Sequence, residues 1–291
     1  MNPAPTRDAR GPFRARLPPE PERGLLHLRG ARRTRMEVAY VAIHLVVAGG
    51  LLAGLSWSPA AVLGGLLLAY VFEQVGFVIA HVGLHSSFME TPEAEMPTVT
   101  HHAFIHHYRD IRAYHRSWLS SRLSCFFCPQ RPLGTLTALG RTALPLVLAA
   151  GLAAATEWRA GATLLACLWA NHLLQGVAHE WYHNDQRETF YTPPMRWFLS
   201  GLEAIGVMDG RRHRRHHAHH LHSLDAVQDW VDLSLPGAEW LGRTFWRRQL
   251  ARYRAGERAM VPGIIKMYLV FLPLQFGTLL GFFWAMAAVS A

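Results

Sequence analysis

Five apolar runs, separated by arginine-rich polar stretches, constrain the fold of this chain more than any other feature. They cover residues 38–55, 60–80, 133–155, 162–178 and 267–289. Each run comes close to or exceeds the ~20 residues that an α-helix needs to cross a bilayer. A hydrophobic share of 51% and a formal charge of +9 coexist in one chain because the two kinds of residue are kept apart along it. The pattern predicts an all-α integral membrane protein.

The links between these runs predict two helical hairpins. Only residues 56–59 separate the first run from the second, and only residues 156–161 separate the third from the fourth. Links this short join helices that are antiparallel neighbours. Trp57 in the first link matches the aromatic belt found at membrane interfaces. We therefore expect two transmembrane helical hairpins followed by a C-terminal transmembrane helix.

The placement of arginines predicts the orientation of these helices. The first 35 residues carry nine arginines, the polar stretch 184–261 carries twelve, and the predicted external turns carry only Arg159. The positive-inside rule then places the N-terminus and the polar stretches in the cytoplasm. We expect residues 1–35 to be a disordered basic tail, residues 36–261 the membrane domain and residues 262–291 the C-terminal span. The aromatic and basic run 245–248 is typical of an interfacial helix.

Histidines recur in four clusters, all on the predicted cytoplasmic side. The clusters are His81 and His85; His102, His106 and His107; His179 and His183; and His213, His216 and His217. In a helix, residues three or four positions apart lie on one face, as a metal site requires. Ten imidazoles exceed the four ligands of a single zinc, and iron is the imidazole-bound metal commonly used to activate dioxygen. The clusters predict a cytoplasmic histidine-rich helical cap that holds two iron ions.

Polar residues also lie inside two of the apolar runs. Glu73 is in the second run, about two turns before its histidine pair, and a carboxylate inside a membrane indicates function by default. The alternative is that Glu73 only pairs with a neighbouring helix. In the fourth run, His172, Gln175, His179 and His183 are spaced three, four and four residues apart. Such a stripe predicts a helix face that points into the bundle or toward a site.

These histidine clusters, together with the two predicted helical hairpins, resemble the pattern of the membrane di-iron desaturase and hydroxylase superfamily. Within it, residues 66–250 are most similar to the plasmanylethanolamine desaturase family, also called Kua or CarF-like. The similar elements are, in order, His106-His107 followed by His115, His179-Glu180-Trp181-Tyr182-His183, His213-Arg214-Arg215-His216-His217, Asp229-Trp230, and Phe245-Trp246-Arg247-Arg248. The chain departs from that family at His85, where the family has an aspartate, and at Arg116-Ser117-Trp118, where the family has acidic and asparagine residues.

The resemblance implies iron ligation by a set of histidines spread over these boxes. The set is His81, His106, His107, His179, His183, His213, His216 and His217; spacing alone adds His85, and His102, His115 and His220 are further candidates. The implied activity is oxygen-dependent desaturation of an acyl or alkyl chain of a lipid, including the vinyl ether of plasmalogens. The alternative within the superfamily is a lipid hydroxylase. The chain shows no dinucleotide fingerprint and no heme domain, so we expect a separate electron donor of the ferredoxin or cytochrome b5 type. No nucleic-acid partner is expected.

Two other classes of function compete with this interpretation. The segment from His179 to His183 also satisfies His-Glu-x-x-His, the zinc metalloprotease motif, with Glu180 as the general base. Met208-Asp209-Gly210 is similar to the Asp-Gly element of intramembrane proteases, but a protease leaves the other three clusters without a role. A cation transporter with a histidine-rich loop is the third class, and it would need polar residues deep in several spans.

Overall fold

The computed structural model describes residues 31–90, 143–183, 192–211, 240, 244, 247–248, 251, 255 and 260–290. Within the helices, side chains are described for residues 41–76, 143–175, 177–178, 181–182, 193–204 and 269–290. Every regular element in these ranges is a helix and none is a β-strand. The predicted all-α class is therefore confirmed for the part of the chain that the structure describes.

Six α-helices make up this part. They are α1 (Ala31–Trp57), α2 (Pro59–Glu90), α3 (Leu144–Ala155), α4 (Trp158–His183), α5 (Pro193–Ala204) and α6 (Met260–Ser290). Helix α1 begins inside the segment expected to be a disordered tail, because arginine is a good helix former and extends the helix beyond its apolar part. Helix α3 covers the second half of the run 133–155, and residues 133–142 lie outside the described residues.

The chain divides into two compact units. Residues 29–77, 117–180 and 266–291 form one, which we call the bundle unit; residues 1–28, 78–116 and 181–265 form the other, which we call the polar unit. The bundle unit contains α1, α3, most of α4, and the parts of α2 and α6 that are richest in apolar residues. The polar unit contains α5 and the C-terminal part of α2.

Helices α2 and α4 pack side by side and run in the same direction. The Cys167 thiol of α4 donates to the Val62 carbonyl oxygen of α2 at 3.8 Å. One turn later, Asn171 Nδ2 donates to the Leu66 carbonyl oxygen at 3.1 Å. An advance of four residues on one helix thus matches an advance of four on the other, which only a parallel pair allows.

Helix α1 runs against α4. A Cβ at Gly50 would meet the Ala166 side chain, whereas a Cβ at Gly54 would meet Thr163, so advancing along α1 means going backward along α4. The same Cβ at Gly50 would come within 2.7 Å of a backbone oxygen of α4, so only glycine allows this close approach. Because a single residue separates α1 from α2, the two form an antiparallel hairpin.

Helix α6 also runs against α2. Near the start of their contact, Phe271 packs edge-to-face on Phe72, with ring centroids 6.0 Å apart. Near its end, Phe282 fills the space beside Gly64. The contact therefore moves backward along α2 as it moves forward along α6, and the two helices are antiparallel.

Helices α3 and α4 form the second hairpin of the bundle unit. Two residues separate them, and Gly161 lies so close to the Ala149 carbonyl oxygen and to Ala153 that a Cβ would not fit. With the other contacts, this fixes the direction of all five segments. Helices α1, α3 and α6 run one way, and α2 and α4 run the other way.

The bundle unit has large aliphatic side chains on its outside and an apolar core that also contains a few polar side chains. The buried polar residues are Gln74, Thr163, Asn171, Gln175 and Gln275. The exposed large hydrophobic residues include Leu45, Leu52, Leu63, Leu67, Val147, Leu269, Val270 and Val289. Two of the described helices contain a segment long and apolar enough to cross a membrane, Pro59–Gly76 and Leu269–Ser290. Membrane-spanning helices are thus compatible with the described part of the chain.

Helix α5 belongs to the polar unit. Two prolines open it, at positions where backbone N–H groups have no partner within the helix. Leu199 is completely buried. The helix ends at Ala204; two residues later Gly206, with a φ of 75°, turns the chain and lets the next two N–H groups donate to the Leu202 carbonyl oxygen.

Candidate functional site

The structure places four of the predicted ligands on continuous helices. His81 and His85 lie in α2, and His179 and His183 lie in α4. Each pair is one helical turn apart, as the spacing predicted. The other eight predicted ligands lie outside the described residues: His102, His106, His107, His115, His213, His216, His217 and His220. Among the side chains that are described, no three from His, Cys, Asp and Glu are close enough to hold a metal ion.

Glu73 pairs with His172 across the interface of α2 and α4. The Glu73 carboxylate oxygen lies 3.1 Å from His172 Nδ1, a hydrogen bond in which the imidazole donates when Nδ1 carries the proton. Both side chains are about four-fifths buried. The sequence left open whether Glu73 serves a site or pairs with a neighbouring helix, and the pairing is what the structure shows.

Two glutamines form a second link between the same helices. Gln74 Nε2 donates to Gln175 Oε1 at 2.9 Å, and both side chains are almost completely buried. A neutral hydrogen bond links the two amides here without placing a charge in an apolar interior, although Gln74 Oε1 is buried with no hydrogen-bond partner in the part of the chain that the structure describes. The polar stripe in the sequence included Gln175, but it did not predict the contact with Gln74. The signal was present, because both residues precede a histidine pair by one or two turns.

Asn171 supplies the third link. Its Nδ2 donates to the Leu66 carbonyl oxygen of α2 and also to the Cys167 carbonyl oxygen of its own helix, at 3.1 and 2.9 Å. One amide thereby fastens two helix backbones to each other. Together with the Cys167 thiol, the side chains that make these three links lie in a row along the interface of α2 and α4. We call this row the polar seam. It lies inside the apolar bundle unit.

The register of the polar seam changes by up to six residues along its length. Its four contacts between α2 and α4 join residues 105, 105, 99 and 101 positions apart in the sequence. The histidine pairs at the C-terminal ends of these helices are separated by a similar distance in sequence. His81 and His179 are 98 positions apart, and so are His85 and His183.

Asp209 occupies the start of the arginine- and histidine-rich segment. Its carboxylate accepts a hydrogen bond from the Arg211 backbone N–H at 2.9 Å and lies 3.7 Å from the Arg211 guanidinium. The backbone of Gly210 and Arg211 is helical, so Asp209 is the N-cap of a helical segment. The Met208-Asp209-Gly210 motif thus has a structural role, which requires no protease chemistry.

The backbone of Glu180 is helical, which fixes its position relative to the histidines on either side. In an α-helix, Glu180 lies about 100° around the axis from His179. Trp181, the central residue of the same box, is buried.

Comparison with protein-family models, with curated proteins and with solved structures gives no match to this chain.

Proposed function

We propose that this chain is a membrane-bound, oxygen-dependent lipid desaturase that uses two iron ions. Its substrate is an acyl or alkyl chain of a membrane lipid, and the vinyl ether of plasmalogens is one product that fits. The observation that carries the proposal is the parallel register of α2 and α4, because it brings the two histidine pairs to corresponding positions. The contacts that define this register are those of the polar seam.

The heights of the histidine pairs follow from the Glu73–His172 contact. His81 lies eight residues beyond Glu73 along α2. His179 lies seven residues beyond His172 along α4. At a rise of 1.5 Å per residue these are advances of about 12 and 10.5 Å, so the first histidines of the two pairs differ in height by about 1.5 Å; the same calculation from the Gln74–Gln175 contact gives about 4.5 Å. Both helices are continuous over this distance, and the second histidines follow one turn later.

The faces that carry the histidines follow from the same contacts. Gln74 contacts α4 and precedes His81 by seven residues. His172 contacts α2 and precedes His179 by seven residues. Seven residues amount to about 700°, within about 20° of two full turns, so each histidine position continues a line of positions that already faces the partner helix. Two imidazole pairs on facing helices suit a centre with more than one metal ion.

The remaining ligands in the proposal come from the histidine clusters of the polar stretches. When bound, the two iron ions supply the activation of dioxygen that a C–H bond of an alkyl chain requires. The chain's own contribution is to hold the ligands at the right separation. The contacts of Glu73 with His172 and of Gln74 with Gln175 do this by fixing the two helices one to two turns before the histidines.

The stoichiometry of desaturation requires a partner. Converting a CH2–CH2 unit to CH=CH releases two electrons and two protons, whereas reducing O2 to two waters consumes four electrons and four protons. The missing two electrons come from a separate donor of the ferredoxin or cytochrome b5 type, and two protons come from water. No nucleic acid takes part in this chemistry.

We place the five segments of the bundle unit across the membrane, with the N-terminus and all histidine clusters on the cytoplasmic side. Support comes from the alternating directions of the segments and from the aliphatic outer surface of the unit. The arginine-rich stretches then face the cytoplasm, as the positive-inside rule requires. In this arrangement the polar stretches form a cytoplasmic cap over two transmembrane hairpins and a C-terminal transmembrane helix.

Metal analysis and lipid mass spectrometry test the proposal together. The full chain, purified in detergent after expression with ample iron, should hold about two iron ions. Cells that express it should contain a lipid species with two hydrogens fewer than the precursor. His179→Ala, His183→Ala and His217→Ala should each lower the iron content and abolish this product. His219→Ala, the matched control within the histidine-rich segment, should behave as wild type. One zinc ion per chain and no iron would refute the proposal.

A further inference from the structure

Helix α5 has apolar side chains on two opposite faces. Leu199 is completely buried. Trp197 lies about 200° around the helix from Leu199 and is 76% exposed, Phe198 is 52% exposed, and Ile205, directly after the helix, is 73% exposed. We call Trp197, Phe198 and Ile205 the outer face of α5. A helix that is apolar on both sides is normally covered on both sides.

The charged residues of α5 lie along its flank. Arg196 and Glu203 are seven residues apart, so they share one strip of the helix surface, and both are half-buried. That strip lies between the buried face and the outer face. Helices in the plane of a membrane surface have this arrangement, with apolar side chains among the lipid tails and charged side chains at the headgroups.

We propose that α5 lies in the plane of the membrane surface and that its outer face is inserted among the lipids. Tryptophan and phenylalanine are favoured at this depth, because their rings are apolar and the indole N–H can still reach the polar interface. The chain also keeps α5 close to the membrane. Only nine residues, 184–192, join it to α4, and they span at most about 30 Å when fully extended.

A second copy of this chain fits the outer face less well than a lipid surface does. Helix α5 has 12 residues and is therefore about 18 Å long. With a strip about 10 Å wide, its outer face offers roughly 180 Å², whereas a stable protein interface buries about 800 Å² on each partner. Lipid needs no complementary surface of that size. This proposal does not depend on the chemistry proposed for the histidine clusters.

Fluorescence quenching by brominated lipids tests the insertion of Trp197. The full chain is placed in nanodiscs, one chain to a disc, made with phosphatidylcholines brominated either near the headgroup or near the bilayer centre. The emission of Trp197 is obtained by subtracting the fluorescence of the Trp197→Phe variant from that of the wild-type chain. Two matched differences serve as controls: Trp284→Phe, for a residue 59% exposed in the candidate span of α6, and Trp181→Phe, for a residue only 4% exposed.

We expect lipid bromines near the headgroup to remove most of the Trp197 emission, while bromines near the bilayer centre remove much less. Trp284 should be quenched by lipid bromines, and Trp181 should be quenched least. Strong quenching of Trp197 by aqueous iodide, with none by either brominated lipid, would show a water-exposed helix and overturn the proposal. Protection of Trp197 from both kinds of quencher would show that another part of the chain covers it and would overturn the proposal as well.

Discussion

At the scale of single residues, polar side chains inside the bundle unit are tolerated because they pair across helices. A buried amide without a partner loses its hydrogen bonds to water and regains nothing, at a cost of about 1–3 kcal/mol. Gln74 and Gln175 avoid part of this cost because Nε2 of Gln74 bonds to Oε1 of Gln175. Glu73 and His172 also bond to each other across the two helices, as a carboxylate and an imidazole. Each pairing also selects one register of α2 against α4, since a shift of one residue would separate both pairs.

The glutamine pair makes a measurable prediction about stability. Gln175→Leu should lower the free energy of unfolding in detergent by about 1–3 kcal/mol, because the Gln74 amide stays buried without its partner. Gln74→Leu with Gln175→Leu should be closer to wild type than either single variant, since no amide is then left unpaired. The measurement is denaturant unfolding followed by circular dichroism. Additive losses in the double variant would show that the contact contributes nothing.

Glu180 separates the two enzyme classes that share the His179–His183 segment. In the proposed desaturase, Glu180 is not a metal ligand; it lies about 100° around the helix from His179 and about 60° from His183. Glu180→Gln should therefore keep its iron and most of its lipid product, measured by metal analysis and mass spectrometry. In a protease the same carboxylate is the general base. Complete inactivation with the metal retained would favour the protease.

At the scale of elements, small residues decide how closely the helices approach one another. Gly50 and Gly54 bring α1 against α4, and Gly64 makes room for Phe282 of α6. Close backbone contact of this kind is what holds helices together in a lipid environment, where the hydrophobic effect does not operate between them. The interior of the bundle unit is tight at these positions, although its outer surface is covered with large side chains.

Two neighbouring glycines of α1 give a matched test of this packing. A Cβ at Gly50 would come within 2.7 Å of the Ala162 carbonyl oxygen and of the Ala166 Cβ, whereas a Cβ at Gly49 would meet nothing within 4 Å. Gly50→Ala should destabilise the protein by about 1–3 kcal/mol through overpacking. Gly49→Ala should be neutral or stabilising by up to about 1 kcal/mol through helix propensity. Thermal unfolding in detergent compares them, and equal effects would contradict the close approach of α1 to α4.

At the scale of the whole molecule, the alternating directions of the helices decide at which end of the bundle unit each helix begins and ends. Helices α1 and α6 run the same way, so the start of α1 and the end of α6 lie at opposite ends of the unit. If the unit spans the membrane, the chain begins and ends on opposite sides. The apolar outer surface and the arginine-rich stretches are both consistent with that arrangement.

Cysteine labelling tests this topology. In a chain with Cys125→Ser and Cys128→Ser, Ala218→Cys should react with an impermeant maleimide only from the cytoplasmic side, because it lies among arginines. Ala291→Cys should react only from the external side, because it follows the end of α6. Reaction of both cysteines from the same side would show that α6 does not cross the membrane. That result would remove the support from helix direction, and labelling of Ala218→Cys from outside would also separate the histidine clusters from the cytoplasm.

Much of the architecture could be predicted from the sequence, because it depends on local physical chemistry. An apolar run in lipid must satisfy its backbone hydrogen bonds internally, so the runs 38–55, 60–80, 162–178 and 267–289 fall within helices. Spacing within a helix is also local. A spacing of four residues is one turn of a helix. Because both segments are helical, His81 lies one turn from His85, and His179 lies one turn from His183.

The tertiary structure alone decided which polar residues meet. Nothing in the periodicity of α2 or α4 says that Glu73 bonds to His172, or Gln74 to Gln175, because each partner lies about a hundred residues away in the sequence. The direction and register of the two helices depend on the glycine and alanine contacts that set how closely they approach. The sequence also did not predict that α5 is apolar on two faces, because the segments next to it in the sequence are rich in arginine. Only the burial of Leu199 beside an exposed Trp197 revealed it, because burial is a property of the packed chain and not of its composition.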